Sequence, residues 1–529
     1  MKNVGMMNIA RIKLNDKIIL LSILCLSGFI IRLYFFPFDL PVRLDGLDYF
    51  LFAHSLSQEG LFPKGVLGTN DGWSIFLAGI FKVINNNDFQ VLNFVQRLTS
   101  VIISCITVYP VYYLCKKFSN NKCAFLGAAI FIFDFRIIEN SISGITEPLF
   151  IFLITSMMVF SFKNDRSVYF SFVLLGLASI VRYEALVSII PLSIIIFKNK
   201  KLQKKKAKIF IGILLFILTL LPIAHVRIQT DGYDGLTSHL VAGTQYILSS
   251  NTNNLETSNI LTSQTDTEVN FLFNSVKNTV KFLIWDMIPI YIIFVPIGIY
   301  YSIKRKSGYF TSWIIFSIFL IIPAVYAYGR NISETRYLYV LFPIFCAIAS
   351  FSIFNAGWTS NKKIFLIVSA VLIVSLVFLQ LYLTDYTYEW EIYKVTKKLP
   401  LIAGGVNEYP GGKYLRVVVA ELEWPKPLTE DGTVKTTYIY PRIPIKGYDS
   451  LVKYVFESKD KGLTHLVVTE NNDVHFLDEL LENSTKYPFL IKEFDSIENG
   501  YKNRIIIYKI DYDLFKLKNY DLSADSIPN

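Results

Sequence analysis

Two aspartates, Asp45 and Asp48, follow directly behind the first long apolar run of the chain, in the stretch DGLDYFLFAHSLSQEG. Residues three apart share one face of a helix, so a helix here would aim both carboxylates the same way as the Phe52 region. A carboxylate in such a place suits general-base chemistry, in which it takes the proton of an attacking hydroxyl group. We take Asp45 as the candidate base and Asp48 as the second choice or its orienting partner.

Arginines and glutamates stand at the ends of later apolar runs. An ionisable group beside apolar sequence costs a few kcal/mol unless it faces a cavity or a partner. Arginine is also the side chain best suited to hold a phosphate group. Their convergence on one membrane face predicts a site for an anionic, membrane-embedded ligand, and the residues concerned include Arg136, Glu147, Arg182, Glu184 and Arg336. A structural reading stays open, in which Arg136 pairs with Glu139 and Arg182 with Glu184.

The composition is that of a protein that crosses a membrane several times. Of the 529 residues, 53% are hydrophobic and only 18% are charged, and the mean hydropathy is +0.42. The apolar residues form runs long enough to cross about 30 Å of hydrocarbon. The net charge of +10 lies in short clusters between these runs, such as KNKKLQKKKAK. This is the positive-inside pattern, and we therefore expect no nucleic-acid partner.

The parity of the basic clusters predicts about eleven spans in the cell membrane, with the N-terminus in the cytoplasm. Spans are expected near 18–36, 96–115 and 364–383. Basic clusters at both ends of 168–197 predict a short hairpin there, with its outer turn at VRYEA. A polar outer loop is expected from Arg227 to about Val280, and it is long enough for a lid or a binding loop.

The segment after residue 383 has a different pattern. Strand-length apolar runs, YLRVVVAEL, THLVVTE and NRIIIYKI, alternate with the helix-like stretches DSLVKYVFESKDKG and VHFLDELLENS. This alternation predicts a small α/β domain outside the membrane. The expected fold class is thus an α-helical polytopic membrane domain, 1–383, followed by an extracytoplasmic α/β domain, 384–529. Without a glycine-rich phosphate loop, the second domain is expected to be structural or to recognise an acceptor.

Metal and cofactor use stays open. Asp45, Asp48 and a histidine could bind a divalent ion, but no compact cluster of ligands compels one, and we assign no metal ligands or cofactor. The five cysteines lie in or beside apolar runs without metal-ligand spacing and are expected to pack in the core.

Four stretches taken in order resemble the GT-C glycosyltransferases, most closely the protein O-mannosyltransferase and aminoarabinose-transferase group. They are DGLDYFLFAHSLSQEG, NSISGITEPLFIFL, LASIVRYEALVSIIPL and ETRYLYVLFPIFCAIAS, and together they cover residues 18 to about 383. Many relatives have adjacent Asp-Glu where this chain has Asp45-Gly-Leu-Asp48. The Trp-Trp-Asp-Tyr-Gly signature of oligosaccharyltransferases is absent from the sequence, which argues against transfer of a whole oligosaccharide.

The resemblance implies transfer of a hexose or pentose from a lipid-linked donor. It points to Arg182 and Arg336 for the lipid phosphate and to Glu147 as organiser of the active site. A single displacement at the anomeric carbon, with Asp45 as base and Asp48 as second choice, would invert the configuration of that carbon. Arg136, Glu184 and Tyr337 complete the expected substrate and phosphate contacts.

The side of the membrane that the site is expected to face leads to the same lipid-linked sugar donor. Nucleotide sugars are cytoplasmic, so an outward-facing transferase needs a sugar carried across on a polyprenyl (dolichyl-type) phosphate. The acceptor hydroxyl belongs to a protein, a lipid or a polysaccharide. Two other classes remain as alternatives, a multi-pass transporter and a non-enzymatic receptor with an external domain.

Overall fold

The fold is described from a computed structural model. It describes residues 2–60, 62–63, 70–163, 166–199, 202–237, 268–305, 308–330, 332–383, 386–425, 441–470, 474–482 and 484–517. Helices dominate these ranges, and a small sheet lies near the C-terminal end. The expected fold class is thus confirmed in its coarse features, mostly helical with several apolar helices and a small sheet.

In the described ranges, eleven α-helices begin before residue 232. They are α1 (Lys2–Tyr34), α2 (Asp45–Glu59), α3 (Asp71–Ile84), α4 (Phe89–Ile106), α5 (Val108–Lys116), α6 (Asn121–Ile132), α7 (Phe135–Ser141), α8 (Glu147–Ser161), α9 (Ser167–Val181), α10 (Ile189–Lys198) and α11 (Lys205–Asp231).

Further helices follow between residues 268 and 383. They are Glu268–Met287, Tyr291–Lys304, Gly308–Gly329, Phe342–Asn355 and Asn361–Leu383, with a 3₁₀ helix at Thr335–Leu341. The predicted polar loop, Arg227 to Val280, therefore extends too far at both ends, into two helices. Its first residues continue α11 and its last belong to the helix Glu268–Met287, because apolar residues recur at helical spacing through both stretches. Residues 238–267 lie outside the described part of the chain.

By length and composition, five helical stretches in the described ranges are suited to cross a membrane. They include Lys17–Tyr34, Phe89–Lys116 and Asn361–Leu381, where spans were expected. A sixth candidate is the pair Phe271–Met287 and Tyr291–Lys304, bent by 101°, and four shorter apolar helices accompany them. The membrane character of the chain is thus confirmed, while the total of eleven spans stays a prediction.

The segment 168–197 is broken at the expected place. Helix α9 ends at Val181, Arg182 adopts an extended backbone conformation, and a 3₁₀ helix follows over Tyr183–Ser188 before α10. The expected turn at VRYEA is confirmed as a break between two helices.

Arg32 in α1 joins four helices. It is fully buried. Its guanidinium donates to the carbonyl oxygens of Gly28 and Ile132 and to the hydroxyl oxygens of Ser104 and Ser141, at 3.0–3.1 Å. Because a buried cation is tolerated only when its donors are satisfied, this network fixes α1 against α4, α6 and α7.

The chain divides into two compact units. The first contains residues 1–36, 52–85 and 95–383, and the second contains 37–51, 86–94 and 384–529. The C-terminal segment is therefore joined in its unit by two short stretches from the N-terminal part of the chain, which the sequence analysis had not placed with it.

Among the described residues, a five-stranded sheet lies at the centre of the second unit, with strand order β2-β1-β3-β5-β4. The strands are β1 (Val406–Asn407), β2 (Arg442–Ile443), β3 (His465–Thr469), β4 (Leu490–Asp495) and β5 (Ile505–Ile510). β1 pairs in parallel with β2 and β3, whereas β5 is antiparallel to β3 and β4. Alternate residues of β3 and β5 enter two apolar clusters, as the period of a strand requires.

One expected strand is wrong. THLVVTE and NRIIIYKI contain β3 and β5, but YLRVVVAEL forms the helix Leu415–Leu422. Leu415 and Val418, three residues apart, are buried on one face of this helix in the apolar cluster around Tyr393. Periodicity alone does not separate a short run of β-branched residues in a buried helix from a strand, and tertiary packing overrides the propensity here.

Gly72 offers a test of the packing between α3 and α9. A Cβ at Gly72 would lie 2.7 Å from the backbone nitrogen of Val181, the last residue before Arg182. Gly72→Ala should therefore lower the free energy of unfolding by about 1–3 kcal/mol, because backbone atoms cannot move aside cheaply. Melting of the purified chain in detergent measures it.

Gly79 in the same helix is the matched control, since nothing lies within 4 Å of its Cβ position. Gly79→Ala should raise stability by up to about 1 kcal/mol through helix propensity. Equal melting temperatures for the two variants would contradict the close approach at Gly72.

Candidate functional site

Glu147 stands where α8 begins, and Pro148 follows it in the first turn. Proline is favoured there because its fixed φ suits a helix start, and a carboxylate is favoured by the helix dipole. The Glu147 side chain is only 3% exposed. Its charge therefore requires partners from other elements.

Arg182 supplies the main partner of Glu147. Arg182 Nη1 donates to Glu147 Oε1 at 2.5 Å and to Thr146 Oγ1 at 3.3 Å, and Nη2 donates to Glu184 Oε1 at 2.9 Å. The extended backbone of Arg182 at the end of α9 lets its side chain reach the start of α8. The expected pair of Arg182 with Glu184 is present, but Glu147 is the closer partner.

Arg336 and Tyr337 approach the same place from the 3₁₀ helix Thr335–Leu341. Arg336 Nη1 lies 3.8 Å from Glu147 Oε1, and its Nε lies 3.4 Å from Glu334 Oε2. The Tyr337 ring centre lies 5.4 Å from Arg182 Cζ, within cation–π distance. We call Glu147, Arg182, Glu184, Arg336 and Tyr337 the Arg182 cluster.

The Arg182 cluster lines a cavity that is partly open to solvent. The other walls are apolar or aromatic and come from Phe150, Ile151, Leu320, Pro323 and Val340. The structure thus brings together five of the eight expected site residues. A few convergent charges in an otherwise apolar cleft are typical of a ligand site.

The charges in the cluster differ from those of a simple anion site. Two guanidinium groups face three carboxylates, those of Glu147, Glu184 and Glu334. The carboxylates hold the arginines in fixed positions before any ligand arrives. Arg336, at 24% side-chain exposure against 8% for Arg182, is the more accessible of the two cations.

Arg136 lies outside the cluster and binds other groups. It donates to the carbonyl oxygens of Trp285 at 2.5 Å and Ile288 at 2.8 Å, and its Nε lies 3.4 Å from the buried Asp286 carboxylate. Its ion-pair partner is Asp286, whereas the structural alternative left open from the sequence paired it with Glu139. These contacts brace the bend after the helix Glu268–Met287.

Asp45 and Asp48 belong to the second unit. They lie in the first turn of α2 as expected, and both are partly buried. Arg416 donates to both oxygens of Asp48, at 2.5 and 3.4 Å. Burial raises the pKa of the Asp48 carboxyl above its ordinary value, although the hydrogen bond and charge of Arg416 lower it in part.

The stretch that carries these aspartates has a second ion pair within its unit. Arg43 Nη1 lies 3.2 Å from Glu389 Oε2, and Tyr414 donates to the same carboxylate oxygen at 2.7 Å. Lys413 and Tyr414 donate to Glu389 and lower its pKa, against the effect of burial, which alone would raise it.

Sequence reasoning missed two sets of partners. Arg416 was hidden in the expected strand YLRVVVAEL, and no signal in the sequence pairs it with Asp48. Arg227 is almost fully buried and binds Asp71 through two hydrogen bonds and Asp231 at 2.5 Å. The i,i+4 spacing of Arg227 and Asp231 was a usable signal for the second contact.

No group of three or more His, Cys, Asp or Glu side chains that could hold a metal ion occurs within the described ranges.

The apolar helices and the motifs that form the Arg182 cluster define a class of protein, membrane proteins that resemble the GT-C glycosyltransferases. Residues 73–225, less than half of the chain, match the family model for Dolichyl-phosphate-mannose-protein mannosyltransferase. This match confirms the resemblance predicted from the motifs, and it includes Glu147, Arg182 and Glu184. A comparison with curated proteins finds no match.

Solved structures give weaker likenesses. The apo oligosaccharyltransferase of Archaeoglobus fulgidus is 11% identical, with 86% of this chain and 69% of that chain covered and a TM-score of 0.48. ArnT from Cupriavidus metallidurans bound to undecaprenyl phosphate is 9% identical, with 93% and 97% covered and a TM-score of 0.47. Both TM-scores are below 0.5, so neither likeness carries an argument about function.

Removing the charge of Glu147 should destabilise the chain. Glu147→Gln leaves Arg182 buried beside a neutral amide, and breaking one side of a buried pair costs about 3–5 kcal/mol. The melting temperature in detergent measures this loss. The matched control is Glu334→Gln, whose carboxylate is 53% exposed and whose loss should cost about 0–1 kcal/mol. Equal shifts would show that Glu147 is not the centre of the cluster.

The raised pKa of Asp48 has a consequence for stability against pH. The folded chain keeps this proton to a higher pH than the unfolded chain, so the free energy of unfolding falls as pH rises through and above 3.8. Asp48→Asn should remove that fall. Arg416→Gln should steepen it, because the group that lowers the pKa is gone. Melting temperatures measured between about pH 4 and 7 test both, and parallel curves for all three proteins would contradict the assignment.

Proposed function

We propose that this chain is a glycosyltransferase that moves a sugar from a polyprenyl phosphate donor to an acceptor hydroxyl at the outer face of the membrane. The observation that carries the proposal is the Arg182 cluster, in which a buried Glu147 fixes Arg182 while Arg336 lies at the cavity. The match of residues 73–225 to a mannosyltransferase family supports it, because it covers three of the five cluster residues.

The cluster suits the phosphate of such a donor. Arg336 is the more exposed cation and takes the phosphate, while Arg182 is held by Glu147 and adds positive charge behind it. These donors are fixed before the reaction, so they stabilise the charge that grows on the leaving phosphate without reorganising. Arg136 is left out of this role because its guanidinium is bonded to two carbonyl groups and Asp286.

The reaction is a single displacement. The acceptor oxygen forms a bond to the anomeric carbon, the bond from that carbon to the phosphate oxygen breaks, and the polyprenyl phosphate leaves with the electron pair. The phosphate is a good leaving group and needs no general acid. One displacement inverts the anomeric configuration, and the acceptor proton goes to a carboxylate base.

Asp45 is our choice for the base, as the sequence predicts. Asp48 is assigned as the orienting partner of Asp45, because both of its oxygens accept hydrogen bonds from Arg416. A proton acceptor needs a lone pair that points to its substrate, so Asp48 serves better as a fixed neighbour of Asp45.

The proposal includes a topology. The N-terminus lies in the cytoplasm, the polytopic part has about eleven spans, and the α/β domain lies outside. The transferred unit is a hexose or pentose, and the acceptor is a protein, a lipid or a polysaccharide.

The first test is transfer of radiolabelled mannose from dolichyl-phosphate mannose in membranes that contain the chain, extended to a panel of polyprenyl-phosphate sugars. Asp45→Asn should lower the rate by about 10²–10⁴, the usual contribution of a general base. Asp48→Asn should lower it less. Transfer that survives unchanged in Asp45→Asn would remove the base role, and no transfer by the wild type from any donor would remove the proposed function.

The phosphate role has its own test in the same assay. Arg336→Gln should lower kcat/KM by about 10²–10³, as loss of one fixed charge-stabilising donor does elsewhere. Arg330→Gln is the matched control, because Arg330 is an exposed arginine that does not line the cavity. Equal rates for wild type and Arg336→Gln, both folded by melting temperature, would contradict the phosphate role.

A further inference from the structure

Glu184 has one satisfied oxygen and one unsatisfied oxygen. It lies in the 3₁₀ helix Tyr183–Ser188, two residues after Arg182, and it lines the cavity. Its Oε1 accepts a hydrogen bond from Arg182 Nη2 at 2.9 Å. Its Oε2 is buried and has no hydrogen-bond partner among the described residues.

A buried oxygen of this kind is costly. Leaving one buried donor or acceptor unsatisfied costs about 1–3 kcal/mol, and more when the group is charged. Native structures contain few such atoms, and ligand sites are where they are expected. Because Arg182 Nη2 already binds Oε1, the side chain of Glu184 is held in a constant position in the wall of the cavity.

The chemistry of a carboxylate oxygen limits what can fill that position. It accepts hydrogen bonds and repels anions, so its partner must carry an O–H or N–H group. The phosphodiester of a polyprenyl-phosphate sugar is anionic at neutral pH and has no O–H group. The polyprenyl chain has no donors at all. Within a polyprenyl-phosphate sugar that carries a neutral sugar, the hydroxyl groups of that sugar are therefore the groups that can donate this hydrogen bond.

We propose that Glu184 Oε2 accepts a hydrogen bond from a hydroxyl group of the transferred sugar, which makes Glu184 a specificity-determining residue. The inference rests on the proposed function. It changes the role expected for Glu184, which the sequence analysis placed among substrate and phosphate contacts without distinguishing them. The cavity then has a phosphate end at Arg336 and a sugar end at Glu184, with Arg182 bonded to the carboxylate of the sugar end.

The walls of the cavity agree with this division. Phe150 and Tyr337 line it beside the charged groups, and their rings lie 5.8 and 5.4 Å from Arg182 Cζ. Aromatic rings pack against the apolar C–H faces of sugars, while the hydroxyl groups at the ring edge remain available to a polar partner. A carboxylate beside aromatic rings provides both kinds of contact in one site.

The experiment compares a donor with its monodeoxy analogues, each lacking one sugar hydroxyl. The donor is dolichyl-phosphate mannose, or the panel member that the wild type transfers fastest. Wild type should lose about 10- to 100-fold in kcat/KM for one particular analogue, as expected for a hydrogen bond to a charged group. Glu184→Ala should transfer that analogue and the parent donor at rates within about threefold of each other, because the discriminating partner is gone.

Glu184→Gln is the second variant, since it keeps the shape and one acceptor oxygen. It should show an intermediate discrimination, and it carries the test if Glu184→Ala does not fold. Glu408→Gln is the control and should keep the wild-type pattern across all analogues. Its side chain is exposed and does not line the cavity.

The outcomes separate the two proposals. Transfer by wild type with the same analogue pattern in folded Glu184 variants would overturn the sugar contact and leave the proposed function intact. A wild type that transfers no sugar would overturn both. Loss of discrimination at one hydroxyl in Glu184→Ala alone would establish the contact and identify the hydroxyl.

Discussion

The ion pair between Glu147 and Arg182 is the interaction on which the candidate site depends. Both side chains are buried, and each is the closest ion-pair partner of the other, so loss of either charge leaves the other poorly compensated. Arg182 reaches Glu147 only because α9 stops at Val181, and α9 has room for α3 only because residue 72 is glycine. The packing of α3 against α9 and the position of Arg182 in the site therefore depend on the same short stretch of chain.

The same pair explains why the site is made from helix ends. A carboxylate at the start of α8, a guanidinium after α9 and the Arg336 side chain in a 3₁₀ helix all come from points where regular helices are interrupted. In the apolar part of a membrane protein, a break leaves backbone groups and side chains that must be satisfied by one another. Charges at such breaks hold the breaks in place and remain available to a ligand.

The sequence predicted the parts of this arrangement that depend on local patterns. The break at VRYEA, the helix at Asp45 and strands β3 and β5 follow from apolar periodicity and from the position of charges. The Asp48–Arg416 pair did not, because its two residues are 368 positions apart and no local pattern relates them. The helix Leu415–Leu422 was mistaken for a strand because burial, which the sequence does not display, decided between the two.

The distance along the chain between Asp48 and Arg416 also determines when each is made during translation. Residues 37–51 join a unit whose sheet is encoded after residue 400, so this early segment emerges long before the residues it packs with. At about 5–20 residues per second, Arg416 is made on the order of 20–70 s after Asp48. During that interval the nascent chain contains the Asp45–Asp48 segment without its native neighbours in this unit. The unit can therefore be completed only after the residues of its sheet have been made.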